Sequence, residues 1–240
     1  MFGLLARLKI RSMLCSKNCR DEGKKMNVTI LYDNEVLTKG IGLKSDWGFA
    51  CLIETSQDTI LFDTGAKGKI LLHNMALLHK NPSEIKKIVI SHEHTDHAGG
   101  LPSLYPFLKN CEIYRLKHEP PSETTRTHCV EKPQMLCKNV WTTGPLKGPI
   151  EEQAVVLEGK EGCSVVTGCS HPGVETILWA AQQIGTIVGI LGGFHGFQSY
   201  PVLDGLTYVC PCHCTRYKNQ IKKRSPHTYL PCGVGQSIEI

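Results

Sequence analysis

The stretch VISHEHTDHAGGL, residues 89–101, sets three histidines, a glutamate and an aspartate between an apolar run and a pair of glycines. The run KIVIS (87–91) that leads into it has the continuous, β-branched character of a strand covered on both faces. His92 and His94 stand two residues apart, so an extended backbone points both imidazoles the same way. Asp96 and His97 follow as the chain turns toward Gly99 and Gly100. A metal accounts for this crowding at a strand end, because zinc accepts such nitrogen and oxygen donors at about 2.0–2.2 Å. Two histidines aimed one way, with an Asp-His pair just after, suit two adjacent metal sites. A solvated polar strand end is the plain alternative, and three histidines with an aspartate inside six residues argue against it.

A local cluster cannot close two metal sites, so further ligands must come from elsewhere. Three later histidines follow apolar strands and lie among small residues that let the backbone approach closely. They are His171 in VVTGCSHPG, His195 in GILGGFHGF and His213 in YVCPCHCT. Each alone reads as an ordinary polar residue. Loops at strand ends on a rigid scaffold are where sites are built, and together these histidines complete the metal reading.

The rest of the chain supplies that scaffold. Its 240 residues, 41% hydrophobic and 20% charged, suit one large domain or two small ones. Short apolar runs recur at 28–33, 49–54, 59–63, 87–91, 111–116, 154–158, 163–168, 186–191 and 206–209. Helices are predicted at about 67–80, 99–108, 174–184 and 213–224. Many strands are apolar at successive positions, which predicts two sheets packed face to face with helices outside. Residues 117–150 are rich in Pro, Thr, Lys and Cys with weak periodicity, and read as an excursion or lid within a single domain over 27–240.

Residues 1–26 carry basic side chains at 7, 9, 11, 17, 20, 24 and 25 and read as a peripheral, poorly ordered basic extension. Much of the formal charge of +5 lies there, so it is no argument for nucleic-acid binding by the whole domain, and a nucleic-acid partner is not expected. No apolar stretch is long enough to span a membrane. Twelve cysteines in a chain of this size without a secretory signal fit a reducing cytoplasm, with most thiols acting as small buried hydrophobes. The alternating Cys210, Cys212 and Cys214 of CPCHC leave open a second, structural metal site, although they lack zinc-finger spacing.

TILFDTG (59–65), H-x-H-x-D-H (92–97) and GCSHPG (168–173) together resemble the metallo-β-lactamase superfamily. LYDN (31–34), GCSHPG, GGFH (192–195) and HCT (213–215) are similar to one branch of it. That branch is named for 7,8-dihydropterin-6-yl-methyl-4-(β-D-ribofuranosyl)aminobenzene 5′-phosphate synthase, and the resemblance spans about residues 27–240. It implies an α/β (α+β) fold, a four-layer αββα sandwich of two packed mixed sheets. It implies His92, His94 and His171 on one metal and Asp96, His97 and His213 on the other, with Asp63 orienting a ligand histidine through a hydrogen bond. Asp33 and Asn34 would lie at the substrate edge of the cleft. Many superfamily hydrolases place a bridging aspartate where this chain has LGGFHG, which offers no carboxylate. The bridge then falls to water or hydroxide, and His195 to substrate contact or acid–base work, with a ligand role still open.

Asp96 and His195 are the candidates for catalysis. Arg216 stands where the branch commonly has glycine, and would suit a phosphate-bearing small-molecule substrate. A surface arginine at the start of a helix is the equal alternative. Trp47 would line the cleft and stack a flat ring, or pack at an edge. The implied cofactors are two divalent ions, zinc first, with manganese or iron as alternatives. Such ions act as Lewis acids and stabilise developing negative charge, which supports hydrolysis of an ester, lactone or phosphate. They equally support transfer of a dihydropterin-methyl group from its diphosphate to a ribofuranosylaminobenzene phosphate. From another class, the cysteines leave room for a metal- or redox-sensing binding protein.

Overall fold

A strand that is apolar at every position needs a packed layer on each face, and the strands of this chain have one. The computed structural model describes residues 25–117 and 125–240. The basic extension therefore lies, but for its last two residues, outside the described part. The strands are β1 (Asn27–Tyr32), β2 (Ala50–Glu54), β3 (Thr59–Phe62), β4 (Lys87–Val89), β5 (Cys111–Arg115), β6 (Thr125–Cys129), β7 (Gln134–Cys137), β8 (Val140–Thr142), β9 (Val155–Glu158), β10 (Cys163–Thr167), β11 (Ile187–Gly193), β12 (Tyr208–Cys212) and β13 (Ser237–Glu239). They form a seven-stranded sheet, β13-β1-β2-β3-β4-β5-β6, and a six-stranded sheet, β12-β11-β10-β9-β8-β7. The helices are α1 (Gly68–Leu77), α2 (Thr95–Ala98), α3 (Val174–Gln182) and α4 (Lys218–Arg224).

Alternation along each strand divides the apolar residues between layers. Cys51, Ile53, Ile60 and Phe62 face inward and meet Val155, Leu157, Val166 and Leu191 of the other sheet. Their neighbours Leu52 and Leu61 face outward onto Leu71 and Met75 of α1. On the far side, Val156, Val165 and Ile190 pack against Val174, Ile177 and Leu178 of α3 and Ile221 of α4. The result is the expected αββα sandwich. Among the described residues, no helix is long and apolar enough to cross a membrane.

Three sequence expectations shift for identifiable reasons. The helix predicted over 99–108 is a pair of short 3-10 turns, Leu101–Ser103 and Tyr105–Phe107. Pro102 and Pro106 there remove backbone donors that a continuous helix would need. The helix predicted from 213 begins only at Lys218, because β12 runs on to Cys212 and His213 then turns with φ of 46°. The compositionally odd 117–150 segment contributes β6 to one sheet edge and the β7–β8 hairpin to the other, so at least its residues 125–142 are largely strand. β6 and β7 are half-buried edge strands, which blurs their hydrophobic period, and β8 is only three residues long.

Strand direction then positions the site. β1 and β3 each run antiparallel to β2, and β3 runs parallel to β4, so the C-terminal ends of β1, β3 and β4 lie together. β10, β11 and β12 are mutually parallel, so their C-terminal ends share one rim of the second sheet. Every sequence motif singled out above follows one of these six strands, except Trp47, which precedes β2, and the chain leaving the rim must turn sharply. Seven described non-glycine residues have positive φ, and four of them, Asp63, Ser170, His195 and His213, stand at these strand ends. Such conformations persist only where surrounding contacts hold them.

The glycine pair of the opening stretch has a packing reason. A Cβ on Gly100 would lie 2.1 Å from the Thr64 carbonyl oxygen, so the Asp63-bearing turn and the histidine segment can touch only through glycine. Gly100→Ala is expected to lower the unfolding free energy by about 1–3 kcal/mol, the usual cost of overpacking, read as a lower urea midpoint.

Candidate metal centre

At the rim, the histidine cluster is built on one buried carboxylate. Asp63 is fully buried and accepts three hydrogen bonds: from Ser91 N and Ser91 Oγ, each at 2.7 Å, and from His97 Nδ1 at 2.7 Å. With His97 Nδ1 donating to Asp63, its Nε2 turns into the site, 3.1 Å from Cys169 Sγ. Ser91 Oγ gives its proton to Asp63, so His92 Nδ1, 3.0 Å away, must donate to the same hydroxyl oxygen. That assigns His92 the tautomer whose free Nε2 faces inward, where it stands 3.1 Å from His94 Nδ1. Glu93, between the two histidines, turns outward to Arg115, whose Nε donates to Glu93 Oε1 at 3.0 Å.

The second sheet brings the remaining donors. His171 lies with its ring centroid 4.8 Å from that of His92 and 5.1 Å from that of His94. His213 Nε2 stands 3.2 Å from Asp96 Oδ2 but is not aligned to bond it, and has no hydrogen-bond partner. Asp33 and Asn34, expected at the substrate edge, instead hold His213. Asp33 Oδ1 accepts from His213 N at 2.7 Å, and Asn34 Nδ2 donates to His213 O at 3.1 Å. Asn34 Oδ1 accepts from Gly48 N and from His213 Nδ1, at 3.2 and 3.0 Å, which leaves His213 Nε2 free toward Asp96. Asp33 is fully buried, and that burial pushes its carboxyl up to about 7.

Two groups of potential donors therefore converge. Asp96, His97, Cys169 and His213 offer ligand atoms all within 4.8 Å of one another, and so do His92, Cys169 and His171. His94 flanks the second group. The buried Nε2 atoms of His171 and His213 have no hydrogen-bond partner, which a cation would supply. The two groups are thus candidate sites for divalent metal. Among the described residues the cysteines of CPCHC join no such group: Cys210 and Cys212 lie in the inter-sheet core with Cys232, whereas Cys214 lies beside the Cys169 backbone.

The electrostatics keep most of the rings neutral. Burial and then the neighbouring histidines push His92 down to about 2. Burial, then His195 and His94, lower His171 to about 4, and burial also lowers His213. His97 differs: burial works against its charge, but the Asp63 carboxylate outweighs it and holds the ring more basic than usual. Burial works against the charge on Asp96, but the neighbouring His97, the one ring held more basic than usual, favours it, and the carboxyl lies well below its ordinary range.

Around the donors lies an open cleft. Trp47 is 58% exposed, with its ring 5.1 Å from that of His213, and shares this cleft with His195 and Arg216. His195 is exposed, 5.1 Å ring to ring from His171, and borders a second cleft alongside Ser170 and Gly173. It belongs to neither donor group.

The sequence reading passed over Cys169 and Glu152. Cys169 stands inside GCSHPG, and by sequence alone it reads, like the other thiols, as a small hydrophobe. Glu152 carries no motif at all. It is fully buried, and its Oε1 accepts from Thr167 Oγ1 and from the backbone N–H groups of Gly168, Cys169 and Ser170 at 2.9–3.1 Å. Its Oε2 accepts from His171 N at 2.9 Å. One side chain thus shapes the whole loop that presents Cys169 and His171, a backbone nest closed by a carboxylate.

The family model of the metallo-beta-lactamase superfamily matches residues 48–182, and the chain belongs to that superfamily. Its members generally bind divalent metals and are mostly metal-dependent hydrolases. The chain is 27% identical over 242 residues to 7,8-dihydropterin-6-methyl-4-(beta-D-ribofuranosyl)-aminobenzene-5'-phosphate synthase of Methanocaldococcus jannaschii, covering 72% of this chain and 82% of that protein. It is 25% identical to an uncharacterized protein of the same organism, MJ0448, covering 89% of this chain and 100% of that one. Among solved structures, Tm1679, a metal-dependent hydrolase of the beta-lactamase superfamily, superposes with a TM-score of 0.72 at 25% identity, covering 90% of this chain and 99% of that chain.

Glu152→Gln replaces one acceptor oxygen with an amide that must face backbone donors. It is expected to cost about 1–3 kcal/mol of stability and to weaken metal binding at the same time, measured by urea unfolding and metal titration. The metal-stripped protein should also be acid-sensitive. His92, His171 and His213 have depressed folded-state values, so below the ordinary histidine value of 6.5 the unfolded chain binds more protons. Stability conferred by their neutrality is complete above that value and is lost as pH falls toward 4; the raised Asp33 carboxyl works the other way, taking up a proton in the folded state below about 7, but one group offsets only part of three, so the urea midpoint should drop between about pH 6.5 and about pH 4.5.

Proposed function

We propose that this protein is a binuclear metal-dependent enzyme acting on a phosphate- or ester-bearing small molecule. The observation that carries this reading is the convergence of two donor groups, each drawn from both sheets, with the buried Nε2 atoms of His171 and His213 left unpaired. His92, His94 and His171 would hold one ion, and Asp96, His97 and His213 the other. Zinc is the first choice for such a donor set. When bound, the ions supply Lewis acidity and neutralise charge developing on substrate oxygens.

The chain's own residues do the rest. Asp63 and Asn34 fix the His97 and His213 tautomers, so both rings meet the site with a free Nε2. Asp96, held as a carboxylate beside both rings, adds negative charge that favours a cation. His195, exposed in the cleft beyond His171, is placed to contact the substrate and to accept or donate a proton. Arg216 in the same cleft offers a planar donor fork for a phosphate, and Trp47 an exposed face for a flat ring.

Within this class two reactions compete. Likeness to the M. jannaschii synthase favours joining a dihydropterin-methyl diphosphate to a ribofuranosylaminobenzene phosphate. Likeness to Tm1679 favours hydrolysis. Metal analysis of the purified protein beside His94→Ala and His213→Ala tests the common premise. Close to two ions per chain should fall in both variants while the fold survives, since the apolar layers lie away from the rim. Full occupancy in His94→Ala would overturn the ligand assignment. Offering the diphosphate with and without its acceptor then separates the reactions, because transfer requires both partners and hydrolysis consumes the diphosphate alone.

A further inference from the structure

The two donor groups have one member in common, the sulfur of Cys169. We propose that Cys169 is a thiolate ligand shared by both metal ions, taking the bridging place that LGGFHG leaves without a carboxylate. The inference rests on the binuclear reading above and adds to it a soft, anionic donor at the centre of the site.

Cys169 differs from the other buried thiols of the chain. Cys51, Cys210 and Cys212 sit inside the apolar layer between the sheets, and Cys111 lies in the layer under α1. Cys169, just 3% exposed, belongs to none of the three apolar clusters. Its sulfur instead lies 3.1 Å from His97 Nε2 and within 4.8 Å of donor atoms of Asp96 and His213 in one group and of His92 and His171 in the other. A tetrahedral zinc ion holds its donors about 3.3–3.8 Å apart, so small closing movements of side chains suffice. His213, 4% exposed, provides an independent sign that this space is meant for a ligand: its Nε2 points into the same group with no hydrogen-bond partner.

The backbone under Cys169 is also fixed. Glu152 accepts from Cys169 N at 3.0 Å and from the N–H groups on either side, and Gly193 N donates to Gly168 O at 2.9 Å. The sulfur is therefore presented on a held loop, as a ligand common to two ions must be. Binding needs only loss of the S–H proton to solvent as the S–metal bond forms. A thiolate prefers zinc, iron or cobalt over manganese or magnesium, so this ligand narrows the choice of metal.

Cobalt(II) titration of the metal-stripped protein tests the proposal without any assay of activity. Wild type should take up two ions and develop a near-ultraviolet thiolate-to-cobalt charge-transfer band. Cys169→Ser should lose that band and bind the second ion more weakly by at least tenfold, since loss of an outer-shell partner alone typically costs about 10- to 100-fold. Cys169→Asp should lose the band yet still hold two ions, because its carboxylate can bridge, and Cys214→Ser should keep the band. Uptake of two ions with no band, or a band that survives Cys169→Ser or disappears in Cys214→Ser, would overturn the Cys169 assignment and leave the binuclear reading standing. Failure of the wild type to bind cobalt at all would overturn both.

Discussion

The carboxylate of Asp63 is the fixed point of this molecule. It has no contact with water, sits in a left-handed backbone conformation at the end of β3, and accepts from Ser91 N, Ser91 Oγ and His97 Nδ1. A buried anion is tolerated only when its lone pairs are answered. Here the answering groups are the first and last parts of the histidine segment. The direction of His92 and His97, and through His92 the position of His94, follow from this one residue. Removing it would leave two rings free to rotate and a loop without an anchor.

The same device recurs on the other side of the cleft. Asn34 sets the tautomer of His213, with Asp33 holding its backbone, and Glu152 gathers the N–H groups of residues 168–171. None of these three side chains belongs to either donor group. Their contribution is to fix each donor's direction before any ion arrives, which is how outer-shell groups raise affinity and basicity. The site thus combines neutral rings held neutral by burial with one basic ring, His97, held so by an acid.

What could be read from the sequence divides along a physical line. The His92–His97 cluster and the apolar runs around it are local patterns, and local patterns survive without a structure. The strand-end positions of His171, His195 and His213 were legible for the same reason. Glu152 was not, because its role exists only when a glutamate before β9 meets a loop after β10. The edge strands β6 and β7 were not, because half-buried edge strands lack the period that marks buried ones, and β8 is too short to show one. Cys169 was hidden by its own chemistry: a buried cysteine is usually a small hydrophobe, and only its neighbours distinguish it. Asp33 and Asn34 stand out in the sequence at a strand end, but only the structure shows that their bonds go to His213.

The donors come from both sheets, and this has a bearing on how the chain reaches its native state. Asp63 and His213 are separated by most of the domain in sequence, and the half-sites meet only after the sheets have stacked. An ion can be gripped from both sides only by the assembled sandwich, so capture belongs to the end of folding and not to its nucleus. Once held, it acts as a cross-link between the two layers, and its affinity for the folded form adds to stability by mass action. With metal bound, the resistance of the sandwich to opening at this rim would follow the metal supply around the protein as well as its own apolar layers.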